Sequence, residues 1–210
     1  MEGPKLEPEK EYRISGKTFR GYYLLNNPLV ISMAAIFAAF TCGMTLLFPL
    51  LLPQGFINIG DLAVMITALL FGPIVGLIAG GVGPMMADVI LGYPNFAFFT
   101  LAIKGLEGFT IGLIANPRKR KKNNDLNSKD IIAVVIGGLI MVFGYFFVEL
   151  FIFRDPGLAF SELPLNFIVQ FGIGVIGSLI FVKTSRRNII DNFPQVFEKI
   201  FIIEDEENKS

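Results

Sequence analysis

The chain has 210 residues, of which 53% are hydrophobic and 17% are charged, and its 18 basic and 18 acidic residues give a formal net charge of +0. Soluble domains usually carry about a quarter charged residues, and disordered chains have a low apolar content, so both classes are excluded. Histidine is absent and cysteine occurs once, which excludes Ser-His-Asp and Cys-His catalysis, His- or Cys-based zinc sites and an internal disulfide.

Six apolar segments follow one another along the chain, and each is a candidate membrane span because a transmembrane helix needs roughly 20 mostly apolar residues. The second segment is short, and a Phe-Gly-Pro sequence at 71–73 joins it to the third without a real loop. It is therefore either a short or tilted span or one half of a re-entrant hairpin. The pattern predicts an all-α, polytopic membrane protein with six transmembrane helices. The segments are Leu29–Leu52, Ile57–Leu70, Ile74–Leu91, Phe96–Ala115, Ile131–Phe153 and Leu163–Val182.

The distribution of basic residues predicts the orientation of the spans, because short loops rich in Lys and Arg remain on the cytoplasmic side. Basic residues cluster in 5–20, 118–129 and 183–187, which six spans place on one side of the membrane. The connections on the opposite side contain one basic residue, Arg154. We therefore expect both termini in the cytoplasm. The basic run 118–122 has the composition of a nucleic-acid patch, but its place in a short inter-helix loop makes topology the better explanation, and we expect no nucleic-acid partner.

The predicted membrane domain, residues 28–184, lies between two polar tails. Residues 1–27 form an N-terminal cytoplasmic tail, because this stretch is polar and the first apolar run is too long for a cleaved signal peptide. Residues 185–210 form a C-terminal cytoplasmic tail, in which the pattern of an amphipathic surface helix broken at Pro194 precedes an acidic end. Solvent exposure is the default expectation for this C-terminal tail.

Charged side chains occur within or at the edges of the spans, where each costs at least a few kcal/mol and therefore needs a reason. At about 1.5 Å per residue, Lys104 and Glu107 lie about 12 Å and 16 Å below the outer edge, and the others lie near the outer ends of their spans. Because polar groups stop at mid-depth, they predict a pocket open to the outside rather than a pathway for protons or ions. The charged residues are Asp61, Asp88, Lys104, Glu107 and Glu149, and polar residues that share a helix face with one another or with these are Thr100, Tyr145, Asn166 and Gln170.

A purely structural role competes with ligand binding for several of these residues. Lys104 and Glu107 can neutralise each other at i, i+3, with Asp88 as a further partner. Asp61 stands at the start of a helix, where a carboxylate caps free N–H groups and suits the helix dipole. The residues alone leave both interpretations open.

Small residues form continuous faces on three segments, and in lipid such faces let helices approach closely. On the third and fourth segments, tight internal packing is favoured over a sliding or docking surface. On the first segment, overlapping alanine pairs at i, i+4 fit internal packing and a partner-facing patch equally well. The residues are Gly72, Gly76, Gly80, Gly83 and Ala87 on the third segment, Gly105, Gly108 and Gly112 on the fourth, and Ala34, Ala35, Ala38 and Ala39 on the first.

Motifs of membrane and nucleotide enzymes are incomplete in this chain. The run Asn-Ile-Gly-Asp at 58–61 lacks the first glycine of the Gly-x-Gly-Asp motif of intramembrane aspartyl proteases. The run Gly-Gly-Val-Gly at 80–83 lies within a span and is not followed by the Gly-Lys-Ser/Thr of a P-loop. We therefore expect neither enzyme activity nor a cofactor.

Several motifs together resemble the S components of energy-coupling factor (ECF) vitamin transporters, most closely the riboflavin-transporter-type family. They lie within about residues 57–115, and the six-span plan and the alanine pairs fit the resemblance over the rest of the chain. The motifs are Ile-Asn-Ile-Gly-Asp at 57–61, Leu-Leu-Phe-Gly-Pro at 69–73, Gly76, Gly-Gly-Val-Gly at 80–83, Ala-Asp at 87–88, Gly-Tyr at 92–93 and Thr-Leu-Ala-Ile-Lys-Gly-Leu-Glu-Gly at 100–108.

The resemblance implies a subunit of a prokaryotic cytoplasmic membrane that binds a vitamin or vitamin precursor with high affinity on its outer side. It also implies a transmembrane scaffold partner, which the alanine pairs of the first helix contact, and two ATPase subunits that hydrolyse the ATP. The loop at 53–60 would cap the ligand, and release would follow when the whole subunit topples in the membrane. The implied partner-facing residues are Ala34, Ala35, Ala38 and Ala39.

The ligand stays open between riboflavin, a thiamine precursor and another small vitamin, because pockets of S components vary with the vitamin. The chain has no Trp to stack on a flat ring, a role that Phe96, Phe98, Phe99 or Phe167 can take. The candidate ligand-binding residues are Asn58, Asp61, Asp88, Lys104, Glu107, Tyr145, Glu149, Asn166 and Gln170.

Two other hypotheses compete with a substrate-binding subunit. A stand-alone secondary transporter or channel is disfavoured, because polar groups stop at mid-depth and neither half of the chain repeats the other. A structural membrane scaffold without a ligand would leave the buried charges as ion pairs only.

Overall fold

The computed structural model describes residues 17–47, 49–51, 56–120, 126–202 and 204–205. These residues are mostly helical, and the short strands pair locally: β1 with β2 and β3 with β4 antiparallel, β5 with β6 parallel. In chain order the elements are β1 (Thr18–Phe19), β2 (Tyr22–Tyr23), α1 (Pro28–Leu47), β3 (Leu50–Leu51), β4 (Phe56–Ile57), α2 (Gly60–Phe71), α3 (Pro73–Leu91), α4 (Pro94–Ala115), β5 (Lys119–Arg120), α5 (Ser128–Phe147), π1 (Val148–Ile152), α6 (Pro156–Leu165), π2 (Asn166–Phe171), α7 (Gly172–Asn192), α8 (Pro194–Ile200) and β6 (Glu204–Asp205).

Five continuous helices in the described part of the chain are long and apolar enough to cross a membrane, so the protein is all-α and polytopic. The second apolar segment forms the 12-residue helix α2, which spans about 18 Å and is shorter than the roughly 30 Å hydrocarbon core. Every residue of α2 except Leu62 is buried, so this helix is the centre of the bundle. The count of six full spans stays a prediction. The five long helices are Pro28–Leu47, Pro73–Leu91, Pro94–Ala115, Ser128–Ile152 and Pro156–Asn192.

Several predicted segment ends differ from the observed helix ends, and the end of the first segment and the start of the sixth have a clear physical reason. The first helix ends at Leu47 rather than Leu52, because Pro49 follows and the residue before a proline is disfavoured in helical conformation. The sixth helix begins at Pro156 rather than Leu163, because Asp155 Oδ1 accepts a hydrogen bond from Leu158 N at 2.9 Å and caps the first turn. The predicted outer connection 154–162 is therefore helical over most of its length. Of the predicted ligand-capping loop, residues 53–55 lie outside the described residues.

The glycine faces pack α3 against its neighbours, which confirms the internal-packing interpretation. A Cβ on Gly76 would come within 2.6 Å of the Gly108 carbonyl oxygen, and one on Gly80 within 2.7 Å of the Lys104 carbonyl oxygen. On the side towards α1, a Cβ on Gly83 would come within 2.5 Å of the Ala38 carbonyl oxygen. Side chains at these positions would push the helices apart, so the glycines set the close contacts of α3 with both α4 and α1.

The two ends of the bundle differ. The cavity end is defined by the start of α2, the α3–α4 turn, π1 and π2, and the opposite end by the start of α1 and the end of α7. At the opposite end, Arg186 forms a two-pronged ion pair with Asp130, at 3.0 and 2.8 Å.

The C-terminal helix α8 packs against this opposite end. The predicted break at Pro194 is confirmed, since α7 ends at Asn192 and α8 begins at Pro194. The expectation of solvent exposure is wrong for the apolar side of α8, because Phe197 is buried at 1% exposure and stacks on Phe71 of α2 at 5.5 Å. Helix α7 continues through residue 184, where the membrane domain was predicted to end.

Candidate functional site

A cavity of about 380 Å³, including its open mouth, lies at the cavity end of the bundle. Its walls come from the residue before α2, from α3, the α3–α4 turn, α4, α5, α6 and π2. Polar and aromatic side chains converge there, which is the composition of a small-molecule site. The lining residues are Asn58, Asp88, Tyr93, Phe96, Thr100, Tyr145, Glu162, Asn166 and Gln170.

Two π-helical turns place polar side chains at the cavity or directly beside it. The π1 turn carries Glu149, and the π2 turn carries Asn166 and Gln170. Such turns are rare and occur mostly as single insertions into α-helices, frequently at functional sites. Within π2, Gln170 Nε2 donates a hydrogen bond to Asn166 Oδ1 at 2.5 Å, which fixes both amides on the cavity side of the helix.

Hydrogen bonds also fix the other side of the wall. Thr100 Oγ1 and the Tyr145 hydroxyl are 2.9 Å apart, so α4 and α5 are joined at the cavity surface. Asn58 Oδ1 accepts a hydrogen bond from the backbone N–H of Gly60 at 2.6 Å, which holds its side chain against the start of α2. The wall is therefore largely preformed.

Five of the nine predicted ligand-binding residues line the cavity, namely Asn58, Asp88, Tyr145, Asn166 and Gln170. The other four, Asp61, Lys104, Glu107 and Glu149, are buried beside it at 2% exposure or less.

Lys104 is the centre of an ion-pair cluster outside the cavity lining. Its ammonium contacts Asp61 of α2 directly and lies 3.8 Å from Glu107 Oε2 and 5.7 Å from the centre of the Tyr145 ring. The predicted i, i+3 pair is therefore present, but the main partner comes from α2. Asp61 does lie in the first turn of α2, where a carboxylate suits the helix dipole, but its carboxylate contacts Lys104, and the N–H of Gly60 is capped by Asn58 instead.

Glu149 and Glu162 form a second buried cluster at the cavity wall. Both residues are buried, at 0% and 5% exposure, and they come from π1 and α6, which pack against each other. Neither Glu149 oxygen accepts a hydrogen bond from an N–H or O–H group of the described residues. A hydrogen bond between the two side chains therefore requires a proton held between two acids.

The sequence interpretation placed Glu162 in an outer loop and did not assign it to the site. Tyr93 was part of a motif only, and Thr100 was recognised for its helix face only. Of the four phenylalanines considered for stacking, Phe96 lines the cavity. Phe98 and Phe167 are exposed at 72% and 45%, and Phe99 packs on Phe153.

The four alanines of α1 divide between two faces. Ala34 and Ala38 are buried at 2% and 8%. Ala35 and Ala39 are exposed, on a face that also carries exposed apolar side chains. A partner surface on α1 can therefore use Ala35 and Ala39, whereas Ala34 and Ala38 serve packing within the bundle. The neighbouring exposed apolar residues are Ile31, Ile36 and Phe40.

No group of three or more Cys, Asp or Glu side chains in the described residues is arranged to hold a metal ion. The cavity lining presents hydrogen-bonding groups, carboxylates and aromatic rings.

Comparison with known proteins agrees with this architecture. A family model for the ECF-type riboflavin transporter, S component, matches residues 26–187. A Pyrococcus woesei protein described as "Uncharacterized protein in gap 3'region" is 41% identical over 140 residues, or 66% of this chain and 88% of that protein. The thiamine precursor transporter HmpT of Lactococcus lactis subsp. cremoris is 30% identical over 167 residues, or 78% and 92% of the two chains. A UPF0397 protein of Vibrio atlanticus is 28% identical over 131 residues, or 58% and 70%. The chain thus belongs to the ECF-type riboflavin transporter S component family, a family of membrane transport subunits rather than of enzymes.

Proposed function

We propose that this protein is the substrate-binding S component of an ECF-type importer and captures a vitamin or vitamin precursor from the outer side of a prokaryotic cytoplasmic membrane. The observation that carries the proposal is the cavity at one end of the bundle, whose wall is largely polar, preformed and assembled from α3, α4, α5, α6, π2 and the residue before α2. Riboflavin, from the family's name, and a thiamine precursor, from the name of a relative, are the leading ligands.

The proposed topology has six crossings, with α2 as a short span, and both termini in the cytoplasm. Two features of the bundle support it. The N-terminal hairpin and the α4–α5 connection meet at the end opposite the cavity, where the Tyr22 hydroxyl donates to Asn116 Oδ1 at 2.9 Å and the Arg118 guanidinium lies 5.3 Å from the Tyr22 ring. The described basic residues Arg20, Arg118 and Arg187 belong to this end, and short connections rich in Lys and Arg are retained in the cytoplasm. The cavity then opens to the outside.

The proposed partners are a transmembrane scaffold subunit and two ATPases. The exposed face of α1 with Ala35 and Ala39 supports a helix-docking surface, because small residues let a partner helix approach closely in lipid. The sequence has no P-loop, so ATP hydrolysis falls to other chains.

Binding and transport test the proposal separately. The full chain, purified in detergent, should retain one small molecule that mass spectrometry identifies as a vitamin or precursor, and calorimetry should give saturable binding of it. In proteoliposomes, uptake should require the scaffold, both ATPases and ATP. Uptake by this chain alone would instead establish a stand-alone transporter. Failure to bind any water-soluble vitamin or precursor would refute the proposed function.

A further inference from the structure

We infer that the cavity takes a compact nitrogenous cation: either a permanent organic cation or a nitrogen base bound in its protonated form, with N–H groups that donate hydrogen bonds. This inference rests on the proposed function, since it names the chemical class of the ligand that the same cavity captures. It depends on a surplus of buried acceptors and of negative charge at the cavity wall.

The acceptor surplus comes from three lining residues on different elements. Asp88 Oδ2, Glu162 Oε1 and Gln170 Oε1 are buried, and no donor among the described residues hydrogen-bonds to them. The three side chains are exposed by 5% or less. Buried polar groups of folded proteins are nearly always hydrogen-bonded. A ligand with several donors would satisfy all three oxygens at once.

The charge surplus is confined to the cavity end. Five buried carboxyl groups lie there, and the described residues supply one buried ammonium group, that of Lys104. This ammonium is already engaged by Asp61 and Glu107 outside the cavity lining. The stretch 52–55, outside the described residues, has the sequence Leu-Pro-Gln-Gly and adds no charge. The five carboxyl groups belong to Asp61, Asp88, Glu107, Glu149 and Glu162.

Protons alone do not account for this arrangement. A proton shared between Glu149 and Glu162 would neutralise one of the two acids, but Asp88 Oδ2 on α3 and Gln170 Oε1 on π2 would still have no donor among the described residues. The buried ion pair at the opposite end shows the contrast, because there Asp130 meets Arg186 through two hydrogen bonds. A buried carboxylate is stable when a cation is supplied to it. At the cavity a bound cation would fill that role.

The aromatic residues of the wall suit the same ligand. Tyr93, Phe96 and Tyr145 line the cavity, and aromatic faces attract organic cations as well as flat heterocycles. The volume of about 380 Å³ includes the open mouth, so the enclosed space is smaller and suits a compact ligand. No Lys or Arg lines the cavity in the described part of the chain, so nothing there compensates a phosphate group.

The first experiment determines the charge class of the ligand. The full chain is purified in detergent, and the small molecule released on denaturation is identified by mass spectrometry. Calorimetry then compares thiamine as a cationic probe, riboflavin as a neutral probe and pantothenate as an anionic probe without a basic nitrogen, alongside the other water-soluble vitamins and precursors. We expect the molecule recovered, or the probe bound most tightly, to be a cation or a protonatable nitrogen base.

The results separate the two proposals. Tight binding of riboflavin or of an anion, with no binding of any cation or nitrogen base, would overturn the inference about charge and leave the proposed function standing. If nothing is recovered and no vitamin or precursor binds, the proposed function fails, and the inference with it.

Variants then test whether the carboxylates recognise the cation. Asp88→Asn and Glu162→Gln preserve side-chain volume, and we expect each to raise the Kd of the cation about tenfold or more, because a charged hydrogen bond is lost. Glu198→Gln is the matched control, since Glu198 is exposed on α8 at the opposite end, and its Kd should stay unchanged. In Glu162→Gln the new amide can donate to Glu149, so this variant stays interpretable if Asp88→Asn does not fold. An unchanged Kd in folded Glu162→Gln would overturn the inference.

Discussion

Replacing Lys104 by Met tests whether the buried ion-pair cluster maintains the fold rather than the ligand site. In the native protein, the ammonium contacts Asp61 directly and lies 3.8 Å from Glu107. All three side chains are exposed by 2% or less. Lys104→Met therefore leaves two carboxylates in the bundle interior without their cation.

The expected magnitude follows from the cost of breaking a buried pair. Removing one partner of such a pair typically destabilises a protein by about 3–5 kcal/mol, because the remaining charge stays buried. For a chain of this size, each kcal/mol lowers the melting temperature by about 2–4 °C, so we expect a decrease of roughly 6–20 °C. Lys183→Met, at an exposed position of α7, should change the melting temperature little.

The assay is thermal unfolding of the detergent-purified protein, followed by the loss of the monodisperse peak in size-exclusion chromatography. Asp61→Asn combined with Lys104→Met should be more stable than Lys104→Met alone, because the buried charge that lost its partner is then removed as well. The Kd of the ligand in the surviving protein should be close to that of the native protein, since Lys104 does not line the cavity. Additive effects of the two substitutions, or a large loss of affinity without a loss of stability, would refute this reasoning.

Three further predictions concern packing, docking and selectivity. Gly76→Val should destabilise the bundle by about 1–3 kcal/mol, because its Cβ would come within 2.6 Å of the Gly108 carbonyl oxygen. Gly43→Val is the control, since a Cβ on Gly43 meets no atom within 4 Å. Equal melting temperatures of the two variants would contradict this prediction. Ala39→Trp, at an exposed position, should reduce co-purification with the scaffold and leave the Kd of the ligand unchanged. Ala38→Trp, at a buried position, should instead lower the melting temperature. The reverse result would show that the two alanine faces of α1 are assigned wrongly. A phosphate monoester of the recovered ligand should bind about a hundredfold more weakly in calorimetry, and equal affinity would show that the cavity accepts anions.

Features that depend on local sequence were predictable. Hydropathy over about 20 residues located the five long helices, and a spacing of three to four residues identified the glycine face of α3 before its partner was known. The start of α6 was also readable, since Asp155 followed by Pro156 is a common helix-start signal. The prediction failed there because Glu162 and Pro164 interrupt the apolar run, and Glu162 was consequently left in a loop.

Features that depend on which helices meet were not predictable from one sequence. Asp61 and Lys104 are 43 residues apart, and nothing in their spacing selects this pairing over the i, i+3 pair with Glu107. The same holds for the alanines of α1. The pairs Ala34/Ala38 and Ala35/Ala39 have the same spacing of four residues. The first pair is buried and the second exposed because of how α1 packs on its neighbours, which the spacing does not reveal.

The packing below the cavity bears on how a bound ligand can leave. A ligand that moved from the cavity onwards through the bundle would have to separate α3 from α4. The contact of these helices at Gly76 and Gly108 leaves no room for even a Cβ. At the far end, the Arg186–Asp130 ion pair joins α7 to α5. Both contacts are buried, and a path through the bundle along these helices would disrupt them. Release by movement of the whole subunit, which the resemblance to S components implies, would leave this helix packing intact. A disulfide-sized crosslink between α3 and α4 should then leave transport by the assembled complex unchanged, whereas a crosslink that fixes α1 to the scaffold should abolish it.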